Sequence, residues 1–169
     1  MNKCIVFALL GALAFAGCKT GYTWTSKVPS DMRTVAVPTF RNETKVTEIG
    51  AVASRQLLRE LQREGTFKIR RTGDAAIEIQ GEITSASLGG GVHDRRTYNR
   101  VSSAEFNIRA KVSVIDKRNG RVLVNNKTYS ASVTTSRIDD AMTAERDASA
   151  RAADALAQQI VDDLLMRNW

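Results

Sequence analysis

The chain has 169 residues and is basic, with 25 Lys and Arg against 18 Asp and Glu, and its length suits one domain. Its two cysteines and single histidine leave few side chains for nucleophilic catalysis or a transition-metal site. The composition therefore favours a protein that binds over one that catalyses a reaction.

The start of the chain has the pattern of an export signal. Lys3 gives a positive beginning, twelve apolar residues follow at positions 4–15, and two small residues precede Cys18. This apolar stretch is shorter than the ~20 residues of a membrane-spanning helix, and the layout is that of a secretory signal peptide. Small residues directly before a cysteine are typical of lipoprotein signals. We predict a signal peptide over residues 1–17 and acylation, with palmitate among the acyl groups, at Cys18; the alternative is an ordinary signal peptide with a chance cysteine.

Residues 18–32 are predicted to be the lipidated cysteine and a polar tether. Several acyl chains on one residue anchor a protein stably. Lys19 stands where inner-membrane lipoproteins usually carry Asp, which favours the periplasmic face of the outer membrane. Cleavage would remove Cys4, so no disulfide is expected, and would leave 24 basic and 18 acidic residues, a net charge of +6. Outside the cytoplasm such a protein is expected to meet phosphorylated lipids, lipopolysaccharide or acidic proteins, and no nucleic acid.

Residues 33–169 are predicted to form a single domain that begins with a strand and a helix. The strand covers residues 34–39, and residues 40–44 are expected to be a loop. A helix is predicted over residues 46–64, capped by Gly65, with a short edge strand near residues 67–70. The expected buried stripe of this helix recurs every four residues: Ile49, Ala53, Leu57 and Leu61.

Three longer strands and a second helix follow. Apolar and polar residues alternate over residues 75–88 and 104–114, which indicates half-buried strands. Residues 116–120 contain Asn-Gly and predict a hairpin turn. The return strand over residues 121–134 changes parity, which predicts a bulge near Asn125 and Asn126. The last helix is predicted over residues 139–166, with a buried stripe of Ala152, Leu156, Ile160 and Leu164.

These elements predict an α+β fold, with two helices packed on one face of a mixed, mainly antiparallel four-stranded sheet. Two helices can cover only one face of such a sheet. The other face would carry Glu78, Glu82, Arg109 and Lys111. It is either a face in contact with water or a surface that fits inside a polar cavity.

The search for chemistry finds no candidate catalytic, metal or cofactor site. His93 follows Gly89, Gly90 and Gly91, which are expected to form a flexible hinge in a loop. The triple glycine lacks the Lys and Ser or Thr of a phosphate-binding loop. No carboxylates cluster at the spacing of metal ligands. We therefore expect no enzymatic activity, no metal and no cofactor.

Residues 93–100 contain a basic cluster that could bind anionic groups. Arg95, Arg96 and Arg100 surround Tyr98 in the predicted connection between two strands. Arginines can hold phosphate groups by paired hydrogen bonds. The alternative is a solvated polar loop.

The chain resembles the LptE family of lipopolysaccharide-assembly lipoproteins over nearly all of its mature sequence. The resemblance depends on the order and spacing of several short segments. These are Cys18 followed by residues 21–24 (GYTW), residues 28–32 (VPSDM), residues 104–106 (AEF) and an Ala-rich final helix that ends near Leu164 and Leu165.

That resemblance implies a fold, a partner and a ligand. Family members have two helices on one side of a small mixed sheet. They insert into the lumen of a large outer-membrane β-barrel, LptD, assist its assembly and help deliver lipopolysaccharide to the outer leaflet. They bind lipopolysaccharide through basic residues, one of them in a loop that matches Arg95, Arg96 and Arg100 here. A second lies near the start of the last helix, where Arg137 and Arg146 are candidates.

A second hypothesis comes from another class of function. A small lipoprotein domain could regulate a cell-wall synthase or form part of a secretion complex. The predicted tether is about a dozen residues, too short to cross much of the periplasm at ~3.5 Å per residue. This length favours action close to the membrane.

Overall fold

The computed structural model describes residues 27–93, 101–135 and 141–169. In chain order the elements are a 3-10 turn (Ser30–Met32), β1 (Thr34–Ala36), β2 (Arg41–Asn42), α1 (Ile49–Glu64), β3 (Lys68–Ile69), β4 (Ile77–His93), β5 (Val101–Asp116), β6 (Arg121–Thr135) and α2 (Ala141–Met166). Within these ranges the strands form one six-stranded sheet in the order β3-β1-β4-β5-β6, and β2 pairs with β4.

The long pairings of this sheet are antiparallel and the short ones are parallel. β5 lies antiparallel between β4 and β6, whereas β1 pairs in parallel with β3 and β4, and β2 in parallel with β4. The predicted class, two helices on a mixed sheet, is confirmed. The predicted count of four strands is wrong. β3 lies within the short edge strand predicted near residues 67–70, whereas β2 lies in the predicted loop at residues 40–44 and, with two residues, is too short to show the alternation from which strands are predicted.

The core lies between the two helices and the inner face of β4, β5 and β6. Both predicted helical stripes are buried, and each of their residues is at most 2 % exposed. Gly65 ends α1 with a φ of +83°, and its N–H donates to the carbonyl of Leu61 at 3.2 Å. The predicted helix cap is therefore confirmed.

Phe40 is the large side chain that the sequence placed in a loop and the fold places in the core. It is 3 % exposed, and its N–H donates to Ser54 Oγ at 2.7 Å. A Cβ on Gly81 would stand less than 3.0 Å from the Phe40 ring, and one on Gly50 less than 3.0 Å from its carbonyl oxygen. Two glycines therefore make the space that holds this residue against α1 and β4.

Two bulges set which side chains of the long strands face the helices. Val112 of β5 pairs with Lys127 of β6, and Val114 of β5 pairs with Val124 of β6. Between these two pairs β6 therefore contains one residue more than β5, and Asn126 has a φ of +45° there. This confirms the bulge predicted near residues 125 and 126. A second bulge lies at Thr84 on β4. Before it the odd-numbered residues of β4 face the helices, and after it the even-numbered residues do.

The β4–β5 pair gives the molecule two distinct ends. At one end, which we call the entry end, lie the 3-10 turn, residues 70–76 and the turn at residues 117–120. The pairing then continues for about 50 Å, at ~3.3 Å per residue, to His93 and Val101. Residues 92, 93 and 101–103 extend past the last pair between β5 and β6, and we call them the β4–β5 arm. Gly89, Gly90 and Gly91 lie within β4, so the loop predicted at these residues is wrong.

Candidate functional site

The sheet face without helices, which we call the open face, carries a row of alternating charges at its centre. Arg41 is the register partner of Glu82, Glu82 that of Lys111, and Lys111 that of Thr128. Arg41, Glu82 and Lys111 border a depression of about 410 Å³. The neighbouring carboxyl of Glu43 raises the pKa of Glu82, first through a hydrogen bond between the two side chains, while Arg41 and Lys111 oppose this rise. This row offers both signs of charge to a partner.

Towards the arm, the open face is lined by small polar side chains. Arg109 stands between Ser85 and Ser130, and Asn107 between Ser87 and Ser132. All of these residues are exposed, and part of this area forms a second depression of about 250 Å³. Hydroxyl, amide and guanidinium groups donate and accept hydrogen bonds in many directions. This area therefore suits a polar partner surface.

At the entry end, one predicted open-face residue is covered. Glu78 lies on the open face but is 4 % exposed. Lys117 Nζ is 3.3 Å from one carboxylate oxygen, and Gln80 Nε2 donates to the other at 2.6 Å. Glu82, Arg109 and Lys111 do face solvent at least in part, so the prediction for this face is confirmed for three of the four charges.

The free edge of β6 is fastened to α2. Tyr129 donates its hydroxyl proton to Asp163 at 2.8 Å, and Lys127 Nζ lies 2.5 Å from the same carboxylate. Burial, followed by the hydrogen bond to Asp163, raises the pKa of Tyr129. Burial opposes ionisation of Asp163, but the hydrogen bonds from Lys127 and Tyr129 together lower its pKa. Arg151 also donates to the carbonyl of Thr134 at 3.3 Å, so this edge is less available for strand addition.

At the entry end, an ion cluster joins the beginning of the described chain to the β5–β6 turn. Arg118 Nη2 is 2.8 Å from the buried carboxylate of Asp116, and its Nη1 contacts Asp31. The hydrogen bond from Arg118 is the main cause that lowers the pKa of both Asp116 and Asp31. No local pattern in the sequence predicts this cluster, because Asp31 and Arg118 are 87 positions apart.

Residues 27–32 of the predicted tether contact the body. Val28 is 1 % exposed and belongs to the core, and its carbonyl accepts a hydrogen bond from Arg33 Nε at 3.2 Å. The stretch available as a tether therefore ends at Lys27.

Most of the predicted site residues lie outside the described ranges. These are Cys18, Arg95, Arg96, Arg100 and Arg137. Residues 94–100 join His93 to Val101, which are register partners at the tip of the arm. Arg146 is described and is an exposed residue of α2.

Two further properties concern the described residues alone. Residues 27–93, 101–135 and 141–169 contain no group of three or more His, Cys, Asp or Glu placed to hold a metal ion. No helix in the same ranges has the length and apolarity needed to cross a membrane.

Comparison with known protein families identifies the family to which this chain, with its open face and β4–β5 arm, belongs. The family model for LptE, described as lipopolysaccharide-assembly, matches residues 32–164. The chain belongs to the LptE family. The match covers both helices except the last residues of α2, and all six strands of the sheet. No curated protein sequence matches the chain.

Solved structures show that the fold recurs in other proteins, among them a lipoprotein. A lipoprotein of Caulobacter crescentus CB15 is similar at 22 % identity and a TM-score of 0.54, over 75 % of this chain and 88 % of that one. Protein XCC0632 of Xanthomonas campestris gives 11 % identity and a TM-score of 0.59, over 79 % and 84 %. The PelC dodecamer of Paraburkholderia phytofirmans gives 17 % and 0.55, over 82 % and 91 %. At these identities the similarity establishes the fold alone.

Proposed function

We propose that this LptE-family protein is a non-enzymatic lipoprotein of the outer membrane. Residues 1–17 would be the signal peptide, Cys18 the acylated anchor at the periplasmic face, and residues 33–169 a domain that enters the lumen of an LptD-like, lipopolysaccharide-translocating β-barrel. There it would assist barrel assembly and the delivery of lipopolysaccharide to the outer leaflet.

The open face is the observation that carries this proposal. The lumen of a large outer-membrane barrel is polar, so a protein that fills it needs a polar surface with few buried groups left without partners. The open face supplies the alternating charges of Arg41, Glu82 and Lys111 and the hydroxyl-rich area around Arg109 and Asn107. An apolar face would instead leave the polar groups of the barrel wall unpaired.

Site-specific photocrosslinking tests the orientation of this face. A photoreactive amino acid at Asn107 or Ser132, both exposed on the open face, is expected to give an adduct with a large β-barrel in intact cells. A matched position at Arg59, exposed on α1, compares the opposite side. Adducts from Arg59 alone would mean that the barrel meets α1 instead, and the absence of barrel adducts from all three positions would refute the plug.

The basic residues next to the arm are the proposed lipopolysaccharide contacts. Arg95, Arg96 and Arg100 follow the tip of a paired ribbon about 50 Å from the entry end, and guanidinium groups bind phosphates in pairs of hydrogen bonds. Changing all three to Ala is expected to weaken lipopolysaccharide binding and leave the unfolding temperature unchanged, because the core that the described residues form is built from other side chains. Unchanged binding would remove these three arginines from the proposal and leave Arg137 and Arg146 as the remaining candidates.

Affinity purification separates this function from the second hypothesis. The tagged, lipidated protein is expected to bring down a large β-barrel from solubilised membranes. Recovery of a cell-wall synthase, or of a ring of secretion proteins, would select the other class of function.

A further inference from the structure

The entry end carries exposed cations that have no ion-pair partner within the described residues. They are distributed over the segment that leads into the 3-10 turn, the edge strand β3 and the start of β6. We call this set the basic end surface: Lys27, Lys68, Arg70, Arg71 and Arg121.

The acids of the same end are largely neutralised by other residues. Asp31 and Asp116 share Arg118, and Glu78 is paired with Lys117. The exposed acid in the loop at residues 70–76 is Asp74, and Glu64, at the end of α1, accepts hydrogen bonds from Thr66. The basic end surface therefore keeps a net positive charge.

This surface is broad rather than concentrated at one point. Lys68 lies on β3 at one side of the sheet and Arg121 at the start of β6 on the other. Four strand spacings separate β3 from β6, which is about 19 Å at ~4.8 Å each. A single small anion would meet one or two of these cations, whereas a plane of anionic groups would meet all of them.

The chain that precedes the entry end holds it near such a plane. Eight residues lie between Cys18 and Lys27, which allows at most ~32 Å from acylated cysteine to body at ~3.5 Å per residue. An anchored body therefore meets the headgroups repeatedly at high effective concentration. Attraction between opposite charges then acts over about 8 Å at physiological ionic strength.

We propose that the basic end surface binds anionic phospholipid headgroups of the leaflet that holds the acyl chains, before the protein enters a barrel. The inference rests on the proposed acylation at Cys18. Binding through this end would set the β4–β5 ribbon upright on the membrane, with the arm directed away from it. A second protein with an acidic surface is the competing occupant.

A single fluorophore tests this contact in the lipidated protein. Acylation blocks the Cys18 thiol, so Thr72→Cys, in the exposed loop of the entry end, places one free thiol beside the surface. Ser132→Cys, on the open face, is the matched position far from it. The labelled proteins are placed in vesicles of phosphatidylcholine, alone or mixed with phosphatidylglycerol, that contain a lipid with a nitroxide on its headgroup.

The label at position 72 is expected to be quenched strongly only when phosphatidylglycerol is present, and the label at position 132 in neither vesicle. High salt should abolish the quenching. Each cation near an anionic surface changes the ratio of docked to undocked protein about fivefold, so changing Lys68, Arg70 and Arg71 to Gln should lower it about a hundredfold. The matched control changes three exposed cations away from this end, Lys45, Arg55 and Arg59, to Gln and should leave quenching unchanged.

Equal quenching in both kinds of vesicle, or an equal loss in both triple variants, would overturn the proposal. Vesicle flotation in high salt separates this failure from that of the anchor. Protein that fails to float with the vesicles in high salt would refute acylation at Cys18. If quenching at low salt still depends on phosphatidylglycerol in that case, lipid binding by the basic end surface would be supported independently of the anchor. Dependence on an added acidic protein, with none on phosphatidylglycerol, would assign the surface to that competitor.

Discussion

The packing of Phe40 against Gly81 gives the sharpest test of the fold. Gly81→Ala would place a methyl carbon less than 3.0 Å from three atoms of the Phe40 ring. The ring cannot retreat easily, because the Phe40 N–H is bonded to Ser54 Oγ and its carbonyl packs against Gly50. Overpacking of this kind costs about 1–3 kcal/mol, although Ala is otherwise preferred to Gly in a strand by about 0.5–1 kcal/mol.

A double-mutant cycle isolates this clash. Phe40→Ala alone should lower the free energy of unfolding by about 3–5 kcal/mol. Adding Gly81→Ala to that variant should cost nothing or restore part of the loss, because the ring is gone. The coupling energy between the two sites is then about 2 kcal/mol.

Urea unfolding followed by circular dichroism measures all four proteins. The clash of about 2 kcal/mol is partly offset by the preference for Ala, so Gly81→Ala alone should cost about 1–1.5 kcal/mol. In thermal scans this should lower the melting temperature by about 2–6 °C, at roughly 2–4 °C per kcal/mol for a domain of this size. If Gly81→Ala destabilises equally with Phe40 present and absent, the close packing of these two residues is not the cause and the reasoning fails.

Two further predictions concern ionisable groups. Arg118→Met should make the free energy of unfolding fall less steeply as the pH is lowered. Arg118 lowers the folded-state pKa of Asp116 and Asp31. The stability that these two carboxylates contribute is therefore present above about pH 4 and lost as pH falls through the folded pKa. Tyr129→Phe should cost about 1.5–2 kcal/mol at pH 7 by removing the hydrogen bond to the charged Asp163. Because the folded-state pKa of Tyr129 is raised, its contribution is present below about pH 10 and lost as pH rises, and the variant should lose less stability in alkali.

Urea titrations at a series of pH values measure both effects. An acid limb unchanged by Arg118→Met would show that the cluster at the entry end does not stabilise the folded state. An alkaline limb that is the same in Tyr129→Phe and the parent would show that ionisation of Tyr129 is not linked to unfolding.

Regular alternation and helical spacing made most of the architecture predictable. The stripe from Ile49 to Leu61 and the alternation around Phe106 and Ile108 each occur within a single element, and the residues that form each pattern are apolar and buried. The bulge at Asn126 was predictable for the same reason, since parity changes on either side of it. These signals are local in the sequence, and no knowledge of tertiary contacts was needed.

The features that were missed depend on residues far apart in the chain. Phe40 becomes a core residue only because Gly81 leaves room for it 41 positions later, and its loop-like neighbours gave no such signal. The alternation of β4 assigned Glu78 to the solvent-facing side of the sheet, whereas in the structure Lys117 forms an ion pair with its carboxylate. In the same way, Arg118 belongs to a predicted hairpin turn, and nothing near it in the sequence indicates its contact with Asp31, 87 positions away.

The candidate site was predictable in its chemistry and not in its extent. The charges Glu82, Arg109 and Lys111 were assigned to one face from parity alone, and they lie there. The continuation of this face through Ser130 and Ser132 needed the register of β6. Arg95, Arg96, Arg100, Arg137 and Cys18 stay predictions, tested by the binding and acylation experiments above.

For a domain that enters a barrel as proposed above, the length of the β4–β5 ribbon has a further consequence. At about 50 Å it equals or exceeds the ~40–45 Å from one headgroup layer of a bilayer to the other. A body of this length, enclosed by a barrel wall, can have His93 and Val101 level with one surface of the membrane and the first pair of β4 and β5, Ile77 with Asp116, level with the opposite one. One hydrogen-bonded pair of strands would then connect both sides of the bilayer, without any segment of this chain touching the hydrocarbon.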